Sequence, residues 1–171
     1  MSRGDVVWRT ATAGDSAAVI AAIDAWWPGI HMVHAVCPQL FEQLGDTCLV
    51  VQDDEGLVGF LVGFMSQRFR DAGYVHYAGV RPGRRGAGLG TEMYRRFARL
   101  TRERGRARVL AETGAWNVES IAFHQRVGFT LEPGDEVVDG IPVHHDAEGR
   151  GFDYVSMTWQ LGGGPGGEAR S

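Results

Sequence analysis

A strand-like run that passes through a glycine-rich turn into an amphipathic helix constrains the fold of this chain more than any other segment. Residues 74–80 (YVHYAGV) are rich in aromatic and β-branched side chains, which favour a β-strand. Apolar residues then recur at spacings of four, four and three, as on one face of a helix: Leu89, Met93, Phe97 and Leu100. Glycine occupies every second position from 86 to 90 between the two. The segment therefore predicts a strand, a tight turn and a helix in succession.

The glycine-rich turn has the properties of an anion-binding site. Without side chains at positions 86, 88 and 90, several backbone N–H groups can point outward together at the start of the helix. The first N–H groups of a helix lack hydrogen-bond partners and lie at the positive end of the helix dipole. A phosphate there accepts hydrogen bonds from these groups and places its negative charge beside the dipole. Arginines at positions 81, 84 and 85 add full positive charges. We therefore predict a phosphate group at this turn.

The spacing of the glycines disagrees with two other kinds of phosphate-binding loop. A P-loop needs a lysine after its last glycine, but Thr91 follows Gly90 and the chain contains no lysine. A dinucleotide-binding loop has the spacing GxGxxG, whereas this segment has GxGxG. A glycine-rich turn that only leads into a surface helix remains the alternative.

Two segments of the chain resemble motifs of the GNAT superfamily of N-acetyltransferases. Residues 85–90 (RGAGLG) match the family's R-x-x-G-x-G segment, which holds the coenzyme A pyrophosphate. Residues 117–129 (NVESIAFHQRVGF) are similar to its later N-x-x-(S/A)-x-x-(F/L)-Y-x-x-x-GF helix and strand. Two matches in the right order are more specific than one. As an order of elements, the resemblance extends over residues 5–161.

The resemblance implies an α/β (α+β) fold with a mixed central β-sheet flanked by helices, in which two neighbouring parallel strands splay apart. We expect this single acyltransferase domain to cover residues 1–161, followed by a flexible glycine-rich tail over residues 162–171. The pattern of residues also predicts a hairpin with its turn at Glu55 and Gly56. A long polar insertion is expected from Gly134 to Gly151.

The resemblance also implies acetyl-CoA as the co-substrate and no metal. The residues expected at the coenzyme are Ala78, Val80, Arg85, Gly86, Ala87, Gly88, Gly90, Thr91 and Asn117. Of these, Ala78 and Val80 would act through their main chain beside the splayed strands. Gly79 between them suggests a bulge or a close approach to the backbone, with a glycine tolerated for packing as the alternative.

Three side chains are candidates for proton transfer. His124 occupies the position at which the family has a general-acid tyrosine, and the alternative is that it only packs or contacts the cofactor. Glu112 ends a predicted strand and His76 lies on the preceding one, so either could take the proton of the acceptor ammonium through water. The alternative for Glu112 and for His76 is a structural role, in which the side chain only makes hydrogen bonds within its strand environment.

The acceptor is expected to be a small-molecule or peptide amine. Trp26, Trp27 and His31 surround the break after the first helix, where the family tends to place acceptor-binding residues; tryptophans at such a place also serve as core residues. His144 and His145 are not expected to bind a metal, because adjacent residues of a strand point in opposite directions.

Charge and composition argue against other classes of partner. The chain has 17 basic and 21 acidic residues and a formal net charge of −4, which disfavours a general nucleic-acid binder. Residues 17–22 form an apolar run too short to span a bilayer, so no membrane partner is expected. Cys37 and Cys48 form neither a CxxC pair nor a disulfide framework, which favours the cytoplasm. The oligomeric state stays open, with a homodimer as one option.

We therefore expect an N-acetyltransferase that moves the acetyl group of acetyl-CoA directly to a primary amine. A non-catalytic acyl-CoA-binding or sensing domain is the alternative, and the replacement of the acid tyrosine by His124 is its best support. A dinucleotide oxidoreductase is a more distant alternative.

Overall fold

The computed structural model describes residues 5–27, 37–146, 149 and 151–162. The chain divides into two compact units: Met1–Phe64 with Val75–Leu100, and Met65–Tyr74 with Thr101–Ser171. Two predicted features lie outside the described residues, namely the tail beyond residue 162 and the candidate acceptor residue His31. The single domain over residues 1–161 stays a prediction.

The described residues form nine strands and four α-helices. The strands are β1 (Val7–Thr10), β2 (Leu49–Asp53), β3 (Gly56–Met65), β4 (Ala72–Val80), β5 (Arg108–Gly114), β6 (Thr130–Leu131), β7 (Glu136–Val138), β8 (Ile141–Val143) and β9 (Tyr154–Gln160). The helices are α1 (Ser16–Trp26), α2 (Pro38–Leu44), α3 (Leu89–Glu103) and α4 (Val118–Val127). Seven strands form a mixed sheet in the order β1-β2-β3-β4-β5-β9-β6, mostly antiparallel with one parallel pair. The predicted mixed sheet flanked by helices is confirmed, and the splay of two parallel strands stays a prediction.

In the first unit, β1, β2 and β3 pair in succession as antiparallel neighbours. The turn between β2 and β3 ends at Gly56, which has a φ of 108°, so the predicted hairpin is confirmed. Because side chains alternate along a strand, β3 serves two sides. Phe60 and Val62 join the buried cluster of α1 and α2, whereas Gly59 and Gly63 approach α3.

Helix α3 packs directly on β3 because the strand has glycines at the contact. A methyl group on Gly63 would lie 2.6 Å from the Phe97 ring, and one on Gly59 would lie 3.4 Å from the Met93 sulfur. Met93 and Phe97 are both buried, which confirms two positions of the predicted apolar helix face. At 15 residues α3 is amphipathic, and none of the helices in the described ranges is both long and apolar enough to cross a membrane.

Asp15 connects the end of β1 to the start of α1. Its carboxylate accepts hydrogen bonds from Arg9 Nη1 and Nη2 at 2.7 and 2.6 Å. It also accepts the backbone N–H and the hydroxyl of Thr12 at 2.8 and 2.9 Å. The hydrogen bonds from Arg9 are the largest cause that lowers the pKa of Asp15, to about 2.

The second unit is built on β9, which pairs antiparallel with both β5 and β6. Asn117 caps α4 as predicted, because its side-chain oxygen accepts a hydrogen bond from the Ser120 N–H at 3.2 Å. The helix ends at Gly128, which has a φ of 126°.

The segment predicted as a long polar insertion, from Gly134 to Gly151, contains a β-hairpin. Strands β7 and β8 pair antiparallel. Between them, Asp139 and Gly140 both have positive φ, 50° and 81°. An Asp-Gly pair favours a two-residue hairpin turn of this kind, so the hairpin has a local sequence signal that the polar composition of the segment obscured.

We predict that Asp15→Asn lowers the free energy of unfolding by about 1–3 kcal/mol at pH 7, because the amide loses charge-assisted hydrogen bonds to Arg9. The stabilisation from Asp15 is complete above the unfolded pKa of about 3.9 and is lost as the pH falls toward the folded pKa of about 2. The difference between the two proteins in urea unfolding should therefore shrink over that range. Asp24→Asn, at an exposed position of α1, is the control and should show neither effect.

Candidate functional site

The glycine turn adopts a backbone that only glycine accommodates easily. Gly86 and Gly88 have φ values of 75° and 81°, in the left-handed region. The first hydrogen bond of α3 runs from the Glu92 N–H to the Gly88 carbonyl at 3.0 Å, so the helix starts immediately after the turn. A methyl group on Gly86 or Gly88 would meet nothing within 4 Å. Both glycines therefore face open space beside a helix N-terminus, as an anion site requires.

The three arginines of the turn have different partners. Arg81 Nη2 lies 2.6 Å from the Asp53 carboxylate, and Arg84 donates to the same oxygen. The Asp53 side chain is only 1% exposed. Arg85 instead donates from Nε to the Val80 carbonyl at 3.0 Å and from Nη2 to the Trp26 carbonyl at 3.4 Å. Because both of these partners are neutral, the charge of Arg85 remains available to an anion.

His124 lies in a buried and largely apolar environment on α4. It is 5% exposed, and its ring makes edge contacts with Phe123 and Phe129 at centroid distances of 5.5 and 5.1 Å. Nδ1 lies 2.7 Å from the Ser120 carbonyl, which can only accept a hydrogen bond, so Nδ1 carries a proton. Burial lowers the pKa of His124. The imidazole is therefore neutral at pH 7, with a lone pair on Nε2.

Residues 19–129 match the family model described as the acetyltransferase (GNAT) family. This chain belongs to the GNAT acetyltransferase family. The matched range contains both segments described above, the glycine turn and the helix that begins after Asn117. A search of curated protein sequences finds no significant match.

Solved structures share this GNAT fold over nearly the whole chain. Ard1 from Thermoplasma volcanium is 20% identical with a TM-score of 0.72, over 91% of this chain and 97% of its own. The protein yncA from Salmonella typhimurium, solved with acetyl-CoA, is 20% identical with a TM-score of 0.65, over 96% of this chain and 99% of its own. Diaminobutyrate acetyltransferase EctA from Paenibacillus lautus is 18% identical with a TM-score of 0.69, over 95% and 99%. At these identities the likeness shows the fold alone.

Gly79 lies between Ala78 and Val80 on the strand that precedes the GNAT turn, and it allows an indole ring to approach β4. A methyl group at this position would lie 2.4 Å from Trp27 and 3.1 Å from Phe60. The close approach to the backbone expected at Gly79 is thus made by a side chain of this protein. The expected main-chain role of Ala78 and Val80 toward a ligand, and a bulge in β4, stay predictions.

Trp26 and Trp27 pack at the margin of the buried cluster of the first unit. The Trp26 ring stacks on Phe60 with centroids 5.7 Å apart, and Trp27 meets Phe60 edge-on at 6.4 Å. Both tryptophans are only partly buried. The Arg85 guanidinium lies 5.8 Å from the Trp27 ring centre. The structure thus brings together the two tryptophans expected to bind the acceptor and the arginine expected to bind a phosphate. Binding of an acceptor by these tryptophans stays a prediction.

The two candidate bases lie in different units. Within the second unit, Glu112 Oε2 accepts a hydrogen bond from the Tyr74 hydroxyl at 3.2 Å, and Oε1 lies 3.5 Å from the Ser156 hydroxyl. Within the first unit, His76 is half-buried, and its ring lies 5.1 Å from that of Tyr77, edge-on. The hydroxyl partners of Glu112 were not foreseen, because they come from strands far away in the sequence.

No group of three or more metal-binding side chains occurs in the part of the chain that the structure describes. His145 lies 3.6 Å from the carboxylates of both Glu136 and Asp153, one at each ring nitrogen. Both contacts lie at the surface, where the His145 side chain is 53% exposed.

We predict that Gly79→Ala destabilises the protein by about 1–3 kcal/mol, because the added methyl group overlaps the Trp27 ring. Chemical denaturation followed by circular dichroism measures the loss. The matched control is Gly83→Ala, where a methyl group meets nothing within 4 Å.

If Trp27 is the obstacle, at least half of the loss disappears when Gly79→Ala is made in a Trp27→Phe background. An equal loss in both backgrounds would show that the indole is not what restricts this position.

Proposed function

We propose that the protein transfers the acetyl group of acetyl-CoA directly to a primary amine of a small-molecule or peptide acceptor. One observation carries the proposal: Gly86 and Gly88, in left-handed conformation, face open space at the start of α3. The adjacent Arg85 has only neutral partners among the contacts described above. This arrangement supports binding of a pyrophosphate. Membership of the GNAT family supports acyl transfer.

Similar solved structures support the choice of donor and of acceptor class. The Salmonella protein contains acetyl-CoA, and the Paenibacillus enzyme contains L-2,4-diaminobutyric acid and coenzyme A. The NatC complex, another similar structure, is bound to a Gag peptide and CoA. Because these acceptors differ greatly in size, the proposal includes both small-molecule and peptide amines.

Different parts of the site would serve different parts of acetyl-CoA, which supplies the activated acetyl thioester. Backbone N–H groups between Gly86 and Thr91, the helix dipole and Arg85 would hold the pyrophosphate, and Asn117 would contribute from the start of α4. The main chain of Ala78 and Val80 would run beside the extended pantetheine and offer an N–H to the developing oxyanion. The Val80 carbonyl already holds the Arg85 side chain, which supports a rigid connection between this strand and the turn.

Proton transfer requires a base on the acceptor side. An alkyl ammonium has a pKa of about 10.4, so the acceptor must lose a proton before it attacks. We propose that His76 or Glu112 takes this proton through water, and that the coenzyme A thiolate released by the transfer takes a proton from water or from His124 in its charged form. Trp26, Trp27 and His31 would contact the acceptor.

A non-catalytic acyl-CoA-binding domain is a second candidate, favoured by the environment of His124. A neutral imidazole with Nδ1 on the Ser120 carbonyl has no second proton to donate from Nε2. At the position where the family has an acid tyrosine, this chain thus has a side chain that at neutral pH is an acceptor. Binding of acetyl-CoA without release of thiol, across all amines tested, would support this second candidate.

Several expectations about the cellular setting of the protein stay predictions. These are the cytoplasmic location, a homodimer, and the absence of nucleic-acid or membrane partners.

We predict that acetyl-CoA with a panel of amines gives amine-dependent release of free thiol, and that Gly88→Asp abolishes it. The panel should include amino acids, diamines, polyamines and short peptides. The carboxylate of the variant would repel the pyrophosphate at the helix N-terminus. Gly88→Asn is the matched control, because asparagine has the same shape and a similar tolerance of positive φ without the charge.

The two variants separate binding from catalysis when coenzyme A is added in a thermal-unfolding assay. We expect coenzyme A to stabilise the wild type and Gly88→Asn, but not Gly88→Asp. If coenzyme A stabilised all three proteins equally, the assignment of a phosphate group to this turn would be wrong.

We predict that His124→Phe makes stability less dependent on pH. Because the folded pKa of His124 lies below the unfolded value of about 6.5, the unfolded chain binds more protons between these two values. The contribution to stability is therefore complete above pH 6.5 and declines as the pH falls toward the folded pKa. Urea unfolding between about pH 5 and pH 8 should show this decline in the wild type and less of it in the variant.

Turnover of the same variant tests the acid role of His124. A proton donor whose pKa lies below 6.5 supports catalysis only in its charged form, so turnover through it must fall at higher pH. Wild-type turnover that persists at pH 8 and is unchanged by His124→Phe would assign this residue to packing. A large loss with unchanged coenzyme affinity would assign it to catalysis.

A further inference from the structure

Two arginine-rich segments lie side by side in the second unit, away in sequence from the glycine turn. Residues 66–70 (SQRFR) precede β4, and residues 104–108 (RGRAR) lead into β5. The N–H groups of Ala107 and Arg108 donate to the Asp71 carbonyl at 2.7 and 3.1 Å, which holds the segments together. The arginines that they bring into one region are Arg68, Arg70, Arg104, Arg106 and Arg108.

A pocket of about 180 Å³ between these segments is lined by hydrogen-bond donors. Its lining residues are Ser66, Gln67, Arg70 and Arg106. A guanidinium can only donate, and the glutamine amide offers two more protons. The Ser66 hydroxyl oxygen accepts the Phe69 N–H at 3.0 Å, so its own proton is directed elsewhere. A ligand for this pocket must therefore be rich in acceptors.

Arg106, which lines the pocket, is already held in place. Arg106 Nη1 donates to the Arg70 carbonyl, while Arg106 Nε is shielded from water and has no hydrogen-bond partner. Because Nε is shielded, a ligand in the pocket would be bound by the terminal N–H groups of the guanidinium. The site thus offers a guanidinium that the Arg70 carbonyl holds in place.

Asp71, the acidic residue that follows Arg70, is paired with an arginine outside the pocket lining. Asp71 is engaged by Arg108, with Nε 2.9 Å from Oδ2 and Nη2 3.2 Å from Oδ1. The Arg68 and Arg108 guanidiniums both lie over the Phe69 ring, at 5.4 and 5.6 Å from its centre. This packing orders the rim of the pocket without neutralising it.

We propose that this pocket is a second anion site that binds a phosphate group. Donors that converge from two guanidiniums, a hydroxyl and an amide suit a tetrahedral oxyanion with several oxygens better than a planar carboxylate. The phosphate is that of a free anion, because the formal net charge of −4 disfavours a general nucleic-acid binder, and an RNA backbone is the other outcome of the test. The site is independent of the proposed acetyl transfer, because none of its four lining residues belongs to the glycine turn or to the candidate catalytic set.

The test is calorimetric titration of the full chain with inorganic pyrophosphate in the Gly88→Asp background, which disables the glycine turn. Binding should persist there. Arg106→Gln and Arg70→Gln should each weaken it about tenfold, the loss expected for one charge-assisted contact. Arg99→Gln removes the same charge from an exposed position of α3 and should leave the affinity unchanged.

Two outcomes would overturn the proposal: no pyrophosphate binding in the Gly88→Asp background, or equal losses for Arg70→Gln and Arg99→Gln. Arg70→Gln keeps the backbone carbonyl that holds Arg106, so it tests the site even if Arg106→Gln unfolds. Neither measurement uses acetyl transfer, so failure of the proposed function would not affect the result.

Competition with a short single-stranded RNA that lacks terminal phosphates identifies the source of the phosphate. If the RNA displaces pyrophosphate and its own binding falls in Arg106→Gln, the ligand is an RNA backbone. If pyrophosphate binds and the RNA does not compete, the ligand is a free phosphate-containing anion.

Discussion

The Asp53 carboxylate, at the end of β2, is almost completely shielded from water and accepts two guanidinium groups from the segment that follows β4. Removing either arginine would leave a buried negative charge with less compensation, and breaking a buried ion pair costs about 3–5 kcal/mol. The pairing fixes Arg81 and Arg84 and therefore the chain that enters the glycine turn. It also separates the roles of the three arginines, because two of them hold the backbone while Arg85 remains for a ligand.

The helix that follows the turn is positioned by an equally strict requirement, the lack of side chains on β3. Gly59 and Gly63 leave space into which Met93 and Phe97 fit, and a single added methyl group at residue 63 would overlap a buried ring. Because interiors are close-packed, such a contact allows little sliding of the helix along the strand. The N-terminus of α3, which provides the N–H groups of the candidate site, is thereby held at a fixed place relative to Asp53 and its arginines.

Most of the fold was predictable from local patterns, whereas most of the environment of the site was not. The hairpin at Gly56, the helix after the glycine turn and the cap at Asn117 each follow from signals within a few residues. The β7–β8 hairpin has such a signal as well, at Asp139 and Gly140, but the surrounding polar residues suggested a loop. Asp53, which pairs with Arg81, lies 28 residues before it, and Tyr74, which donates to Glu112, lies 38 residues before it. Neither contact is visible in a local pattern. His124 differs from these cases, because its described contacts, Phe123, Phe129 and the Ser120 carbonyl, all belong to the same motif. The motif alone does not state how deeply the imidazole is buried.

The candidate phosphate site has a further property that follows from its composition. Backbone N–H groups and a helix dipole contain no group that titrates in the physiological range of pH. The groups proposed for proton transfer, in contrast, are a carboxylate and two imidazoles. The backbone contribution to phosphate binding is thus insulated from acidity, whereas the proposed transfer would respond to pH through the reacting amine and the residues beside it.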